Sequence, residues 1–137
     1  ATDMHPSHPS RVFVSATDQE NLQQLRHLDL KTLEDGHIGG LNGVLLGVAA
    51  EEGLHGACFL GEMPAPFSEL AFPKASLAVL EVFAAMTGMD VEFDELRQKA
   101  DEVEKQLSEL LSRIQESAGA AESEGESEWA PFKSPES

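Results

Sequence analysis

The sequence predicts an α/β fold with a mostly parallel sheet and a long C-terminal helix. Three observations carry that expectation. Two short runs, Arg11-Val12-Phe13-Val14-Ser15-Ala16 and Ala57-Cys58-Phe59-Leu60, are strand-length and largely apolar. They read as strands buried on both faces, as in a parallel sheet. Between them, Leu41, Val44, Leu45 and Val48 share one helical face. Strand, helix and strand at this spacing form a βαβ unit, whose crossover is right-handed. Finally, Phe93, Leu96, Ala100, Val103, Leu107, Leu110 and Ile114 recur three and four apart. That spacing is a heptad seam of about three repeats.

The elements follow in chain order. Ala1 to Ser10 contains His5-Pro6 and His8-Pro9. Each proline biases its predecessor toward extended backbone, so the segment reads as a loop and not as a signal peptide. After the first strand, Thr17-Asp18-Gln19-Glu20 has the pattern of a capping box on Thr17. The helix it opens runs to about His27, with Leu22 and Leu25 inward. Leu28 to Glu34 alternates weakly and reads as a short edge strand. A glycine-rich turn, Asp35-Gly36-His37-Ile38-Gly39-Gly40, leads into the helix from Leu41, which Gly53 ends in a left-handed conformation. Beyond the second apolar strand lies a loop with Pro64, Pro66 and Pro73. Pro73 is suited to open a helix, where its missing amide costs nothing. That helix covers Lys74 to Thr87, with Gly88 as its stop. The last helix runs from about Asp94 to Ser117. From Ala118 the chain is rich in Ser, Glu, Gly and Ala, with Trp129 and Phe132 as exceptions. The expected organisation is one α/β domain over residues 1–117 and a disordered acidic tail over 118–137.

Composition narrows the function. The chain has 137 residues, 41% of them hydrophobic, which suits one domain with a real core. Twenty-five Asp and Glu against nine Lys and Arg give a net charge of −16. Such a charge repels phosphate backbones and anionic lipid, so nucleic-acid and membrane partners are not expected. No apolar run reaches the ~18 residues of a spanning helix. One cysteine, Cys58, cannot form an internal disulfide. These absences read as a cytoplasmic protein.

Three motifs in succession carry a resemblance. The first is Gly36-His37-Ile38-Gly39-Gly40-Leu41-Asn42-Gly43, continued by Leu45-Leu46-Gly47. The second is Leu60-Gly61-Glu62-Met63-Pro64, and the third is Pro73-Lys74-Ala75-Ser76 with Ala78-Val79-Leu80-Glu81-Val82-Phe83. In this order and spacing, over about Arg11 to Leu111, the chain resembles the C-terminal half of the proteasome assembly chaperone family, in its archaeal and bacterial branch. The resemblance implies a three-layer α/β core similar to that of nucleoside phosphorylases, present here in part. It implies a non-enzymatic assembly or interaction protein, and a usual chain longer than this one. Some relatives dock on proteasomes through a C-terminal motif with a penultimate tyrosine. This sequence has no tyrosine and ends Lys133-Ser134-Pro135-Glu136-Ser137, so any docking is expected through the folded body.

Within this frame one constellation could bind a ligand. Gly36, His37, Gly39, Gly40, Asn42 and Gly43 form a turn before a helix, where backbone amides approach anions. Glu62 and Lys74 lie past a strand end and at a helix start, the end of an α/β sheet where ligands bind. The alternative is structural: glycines four apart let the helix lie close on the sheet, and Glu62 pairs with Lys74 to pin the proline loop. If the ligand reading holds, the protein is a small-molecule binder or enzyme of phosphorylase-like fold. No catalytic residue is identified. The turn lacks the Gly-Lys-Ser/Thr of a P-loop. The five histidines lack ligand spacing, and Cys58 reads as a core thiol, so neither metal nor cofactor is expected. A homo-oligomer is expected, with the long helix at or near the interface, and another protein complex is the second kind of partner.

Overall fold

The computed structural model describes residues 1–128, with side chains through residue 121. The elements are β1 (Val12–Ala16), α1 (Gln19–Gln24), β2 (Lys31–Thr32), α2 (Gly40–Glu51), β3 (Ala57–Gly61), α3 (Pro73–Thr87) and α4 (Asp94–Glu128), with a 3₁₀ turn at Ala65–Phe67. The α/β class and the long last helix agree with the sequence. The mostly parallel sheet does not. The sheet is small and mixed, in the order β2-β1-β3. β1 pairs in parallel with β2, over Phe13↔Lys31 and Val14↔Thr32. It pairs antiparallel with β3 over all five residues, from Val12↔Gly61 to Ala16↔Ala57. The parallel connection therefore joins β1 to β2 through α1. α2 lies between β2 and β3 and returns the chain in the opposite sense.

Burial follows the pleat. Val12 and Val14 are buried while Phe13 and Ser15 are half-buried. Directly opposed residues share a face, so Val12, Val14, Phe59 and Gly61 lie on one side of the sheet. α3 crosses that side. A Cβ at Gly61 would stand 2.6 Å from the Ala75 carbonyl oxygen, so only glycine permits this approach. α4 packs mainly on α3, beyond the sheet. Phe67, Phe72 and Leu107 form a buried cluster with Met4, Met63, Ala75, Val103 and Leu111 around it. The first part of the heptad seam thus folds onto its own body, whereas Leu110 and Ile114 stay exposed. α2 approaches the sheet at β3. α3, with α4 upon it, covers one face of the small sheet. β3 is half-buried, not enclosed on both faces.

Local chemistry explains the element ends. α1 is capped by Asp18, whose Oδ1 accepts from the Asn21 amide at 2.8 Å. Thr17, the expected cap, instead accepts from the Gly56 amide at 3.1 Å and so joins α1 to the end of β3. Pro73 opens α3, and Gly88 ends it in a left-handed conformation, both as expected. α4 continues to Glu128, so residues 118–128 are helical where a disordered tail was expected. The rest of that tail, 129–137, lies outside the described residues.

Candidate functional site

Glu62 is the most deeply buried charged residue described, with its side chain 1% exposed. Its carboxylate is fully engaged. Oε1 accepts from Arg11 Nη2 at 2.5 Å and from the Thr2 hydroxyl at 2.6 Å. Oε2 accepts from Arg11 Nε at 2.8 Å and from the Arg11 amide at 3.2 Å. The guanidinium binds both oxygens, the strong forked geometry of an Arg–carboxylate pair. These donors hold the Glu62 carboxyl at about 2, against 4.5 for an ordinary glutamate, with the Arg11 side-chain hydrogen bonds as the largest cause and burial opposing. An acid held this low is ionised at neutral pH and has no proton to give.

Lys74 belongs to a different cluster. Its Nζ donates to the carbonyls of Pro6 and His8 at 2.9 and 3.0 Å and pairs with Glu104 at 2.8 Å. The expected Glu62–Lys74 pair is therefore replaced by two separate ties. Each one fastens the N-terminal segment, through Thr2 and Arg11 in one case and through Pro6 and His8 in the other.

The glycine turn divides likewise. Gly36 and His37 line a cavity of about 490 Å³ with Phe13, Leu33, Leu60 and Glu62, on the sheet face away from α3. Asn42 lines a separate groove of about 390 Å³ between α2 and β3. A Cβ at Gly43 would stand 1.9 Å from the Ile38 carbonyl oxygen, so Gly43 lets the turn fold against its own helix. Gly39, Gly40 and Gly47 have no neighbour within 4 Å of such a Cβ, so their spacing does not seat α2 on the sheet. The eight residues singled out in the sequence thus do not converge on one site. Gly36, His37 and Glu62 share a cavity, while Asn42 and Lys74 lie elsewhere.

Sequence reasoning missed Arg11 and Thr2. In a parallel sheet Arg11, before β1, would lie at the opposite end from Glu62, after β3. The antiparallel pairing brings them together, and the Glu62 amide donates to the Arg11 carbonyl at 2.8 Å. Also missed was the exposure of α2, where Leu41, Val44, Leu45 and Val48 are 71, 62, 58 and 49% exposed. His55, 3.1 Å from Asp18, completes a small exposed cluster with Asn21 at the α1 start. Hydrogen bonding from the Asn21 amide leads the causes that lower the Asp18 pKa.

No helix among the described residues is long and apolar enough to cross a membrane. Comparison with known proteins gives a consistent picture. An uncharacterised protein of Methanocaldococcus jannaschii is 29% identical over 119 residues, 86% of this chain and 45% of that one. The structure is similar to that of Pyrococcus furiosus PbaA, an archaeal homologue of proteasome-assembly chaperone, with TM-score 0.62 and 30% identity over 80% of this chain and 47% of PbaA. Its fold also matches Pyrococcus furiosus PbaB, an archaeal proteasome activator, with TM-score 0.63 and 24% identity over 80% of this chain and 45% of PbaB. The chain spans about half the length of each of these relatives. The sequence matches the model of the PAC2 family over residues 1–111, and the chain belongs to that family.

Proposed function

We propose that this chain is a non-enzymatic assembly or interaction protein that acts on a proteasome complex by shape-complementary docking, in the cytoplasm. The supporting observation is that the charged groups best placed for chemistry are spent on structure. Glu62 is saturated by Arg11 and Thr2, and Lys74 by two carbonyls and Glu104. A general acid or base must reach a substrate proton, and neither residue has a free position from which to do so. The likeness to PbaA supplies the class of partner. Docking is proposed through the folded body, which the family model matches over residues 1–111.

The cavity beside Gly36 and His37 favours a second reading, a small-molecule binder. Both readings meet one experiment. The full chain and a chain truncated after Ser117 are tested for retention on a purified proteasome ring, and the full chain is screened for thermal stabilisation by nucleosides and phosphate. Retention of both forms without stabilisation is the expected result. Loss of retention on truncation overturns docking through the body. Absence of retention together with ligand stabilisation overturns the assembly reading in favour of the binder.

A further inference from the structure

His5-Pro6-Ser7-His8 is a four-residue turn, closed by the His8 amide, which donates to the His5 carbonyl at 2.9 Å. Proline in the second place presets its backbone. The turn is fastened to the body from beneath. Pro6 is fully buried, and Lys74 Nζ donates to the Pro6 and His8 carbonyls at 2.9 and 3.0 Å. Glu104, 2.8 Å from the same ammonium, offsets its charge. His8 is exposed and His5 half-buried. The first and fourth residues of a turn stand close together, and here their imidazoles meet, with ring centres 5.7 Å apart and planes tilted by 55°. The histidine spacing carries no helical ligand pattern, but a turn brings two rings together without one.

That separation suits one shared cation. An imidazole nitrogen binds a metal such as zinc at about 2.0–2.1 Å, which puts the ring centre about 3 Å from the metal, so two rings on one cation have centres about 5–6 Å apart. His5 Nδ1 lies 2.7 Å from the Ser7 hydroxyl oxygen and 3.2 Å from the Ser7 amide nitrogen. With the proton on Nε2, Nδ1 accepts from that amide. With the proton on Nδ1, the ring donates to the hydroxyl, and the Nε2 lone pair is free for a metal. Metal-binding histidines are oriented in this way, by a hydrogen bond from the second ring nitrogen. Ser7 is thus placed to hold His5 in the form that a metal selects.

We propose that His5 and His8 form a binding site for a divalent late transition cation, copper most tightly, then nickel or zinc. Paired imidazoles select these ions over Mg²⁺ and Ca²⁺, which take oxygen ligands. Among the described residues no group of three His, Cys, Asp or Glu could hold a metal, so water fills the remaining positions. Rigidity offsets the small number of protein ligands. The burial of Pro6 and the two carbonyl ties to Lys74 fix the turn before the cation arrives, so little ordering remains to oppose binding. The net charge of −16 adds a general attraction for cations.

Titration calorimetry of the full chain with Cu²⁺, Zn²⁺ and Mg²⁺, joined to electron paramagnetic resonance of the copper form, tests the site. The expected result is a tightest Cu²⁺ equivalent with nitrogen ligands, weaker binding of Zn²⁺ and none of Mg²⁺ in its place. His5→Ala, His8→Ala and Ser7→Ala should each weaken that equivalent by roughly tenfold or more, the range for lost ligand support. His27→Ala and His55→Ala should leave it unchanged. Ser7 and His8 are exposed, so their variants keep the fold, which circular dichroism checks. Absence of Cu²⁺ binding overturns the proposal, as does tight binding that His8→Ala leaves intact. Loss of binding in His55→Ala overturns it in favour of the Asp18 cluster. An equal response to Mg²⁺ overturns it in favour of diffuse attraction to an acidic surface, and an unchanged Ser7→Ala overturns the role given to His5 Nδ1.

Discussion

Replacing Glu62 by glutamine tests the Arg11–Glu62–Thr2 cluster with little change of shape. The carboxylate accepts four hydrogen bonds, three from Arg11 and one from Thr2. An amide puts an NH₂ where one oxygen stood, and that group faces an Arg11 N–H whichever way it is turned. If it replaces Oε2, it meets Arg11 Nε and the Arg11 amide, neither of which can accept. If it replaces Oε1, it meets the guanidinium, which cannot accept, and the Thr2 hydroxyl, which must turn to do so. A carboxyl held at about 2 in the folded chain and 4.5 in the unfolded one contributes roughly 3 kcal/mol near neutral pH. Loss of one member of a buried ion pair falls in the same range. Glu62→Gln should therefore lower stability by roughly 3 kcal/mol, or Tm by about 10 °C. The pH dependence gives a sharper test. The folded pKa is depressed, so this stability is complete above 4.5 and is lost as pH falls toward 2. Glutamine does not titrate, and all other carboxylates are common to both proteins. Urea denaturation of wild type and variant, followed by circular dichroism from pH 7 to pH 2, should show a gap that is constant above pH 5 and narrows below it. A gap that is absent at pH 7, or unchanged down to pH 2, would refute the assignment.

Other expectations follow from the same contacts. Lys74→Met removes two hydrogen bonds to Pro6 and His8 and the pair with Glu104. It should cost about 1–3 kcal/mol and speed proteolysis of the first ten residues, read by limited digestion. Leu107→Ala opens a cavity against Phe67 and Phe72 and should cost about 2–4 kcal/mol in denaturant titration. Gly43→Ala and Gly47→Ala should differ in sign. The first drives a Cβ into the Ile38 carbonyl and lowers Tm; the second meets nothing within 4 Å and raises helix stability by up to about 1 kcal/mol. Equal effects of the two alanines on thermal melting would contradict the local geometry.

Local signals in the sequence read well, and long-range direction did not. Pro73 and Gly88 mark the ends of α3 because their effects are confined to one backbone position. The β1 and β3 segments were legible from apolar content, but apolar content says nothing of strand direction. Parallel and antiparallel pairings of Val12–Ala16 with Ala57–Gly61 bury similar side chains and differ in which ends meet. That one ambiguity misplaced Arg11 relative to Glu62, and it turned a structural ion pair into a candidate ligand site. α2 was misread for a related reason. Its apolar face is real in the sequence, but periodicity reports that a face wants cover and not that the same chain provides it. Thr17 and Asp18 both have capping chemistry, and their roles were decided by Gly56, thirty-nine residues away.

The ties that hold the N-terminal segment also set the order in which the chain can mature. Thr2 and Glu62 are sixty residues apart, Arg11 and Glu62 fifty-one, and Lys74 and Pro6 sixty-eight. Contacts this distant in sequence form late, because loop closure must precede them. During synthesis β1 precedes its antiparallel neighbour and the buried carboxylate that neutralises Arg11 by about fifty residues. At about 5–20 residues per second, the β3 side of that strand waits several seconds without its partner, while β2 follows within about fifteen residues. The ties of the N-terminal segment are complete only once residues through Glu104 have been made.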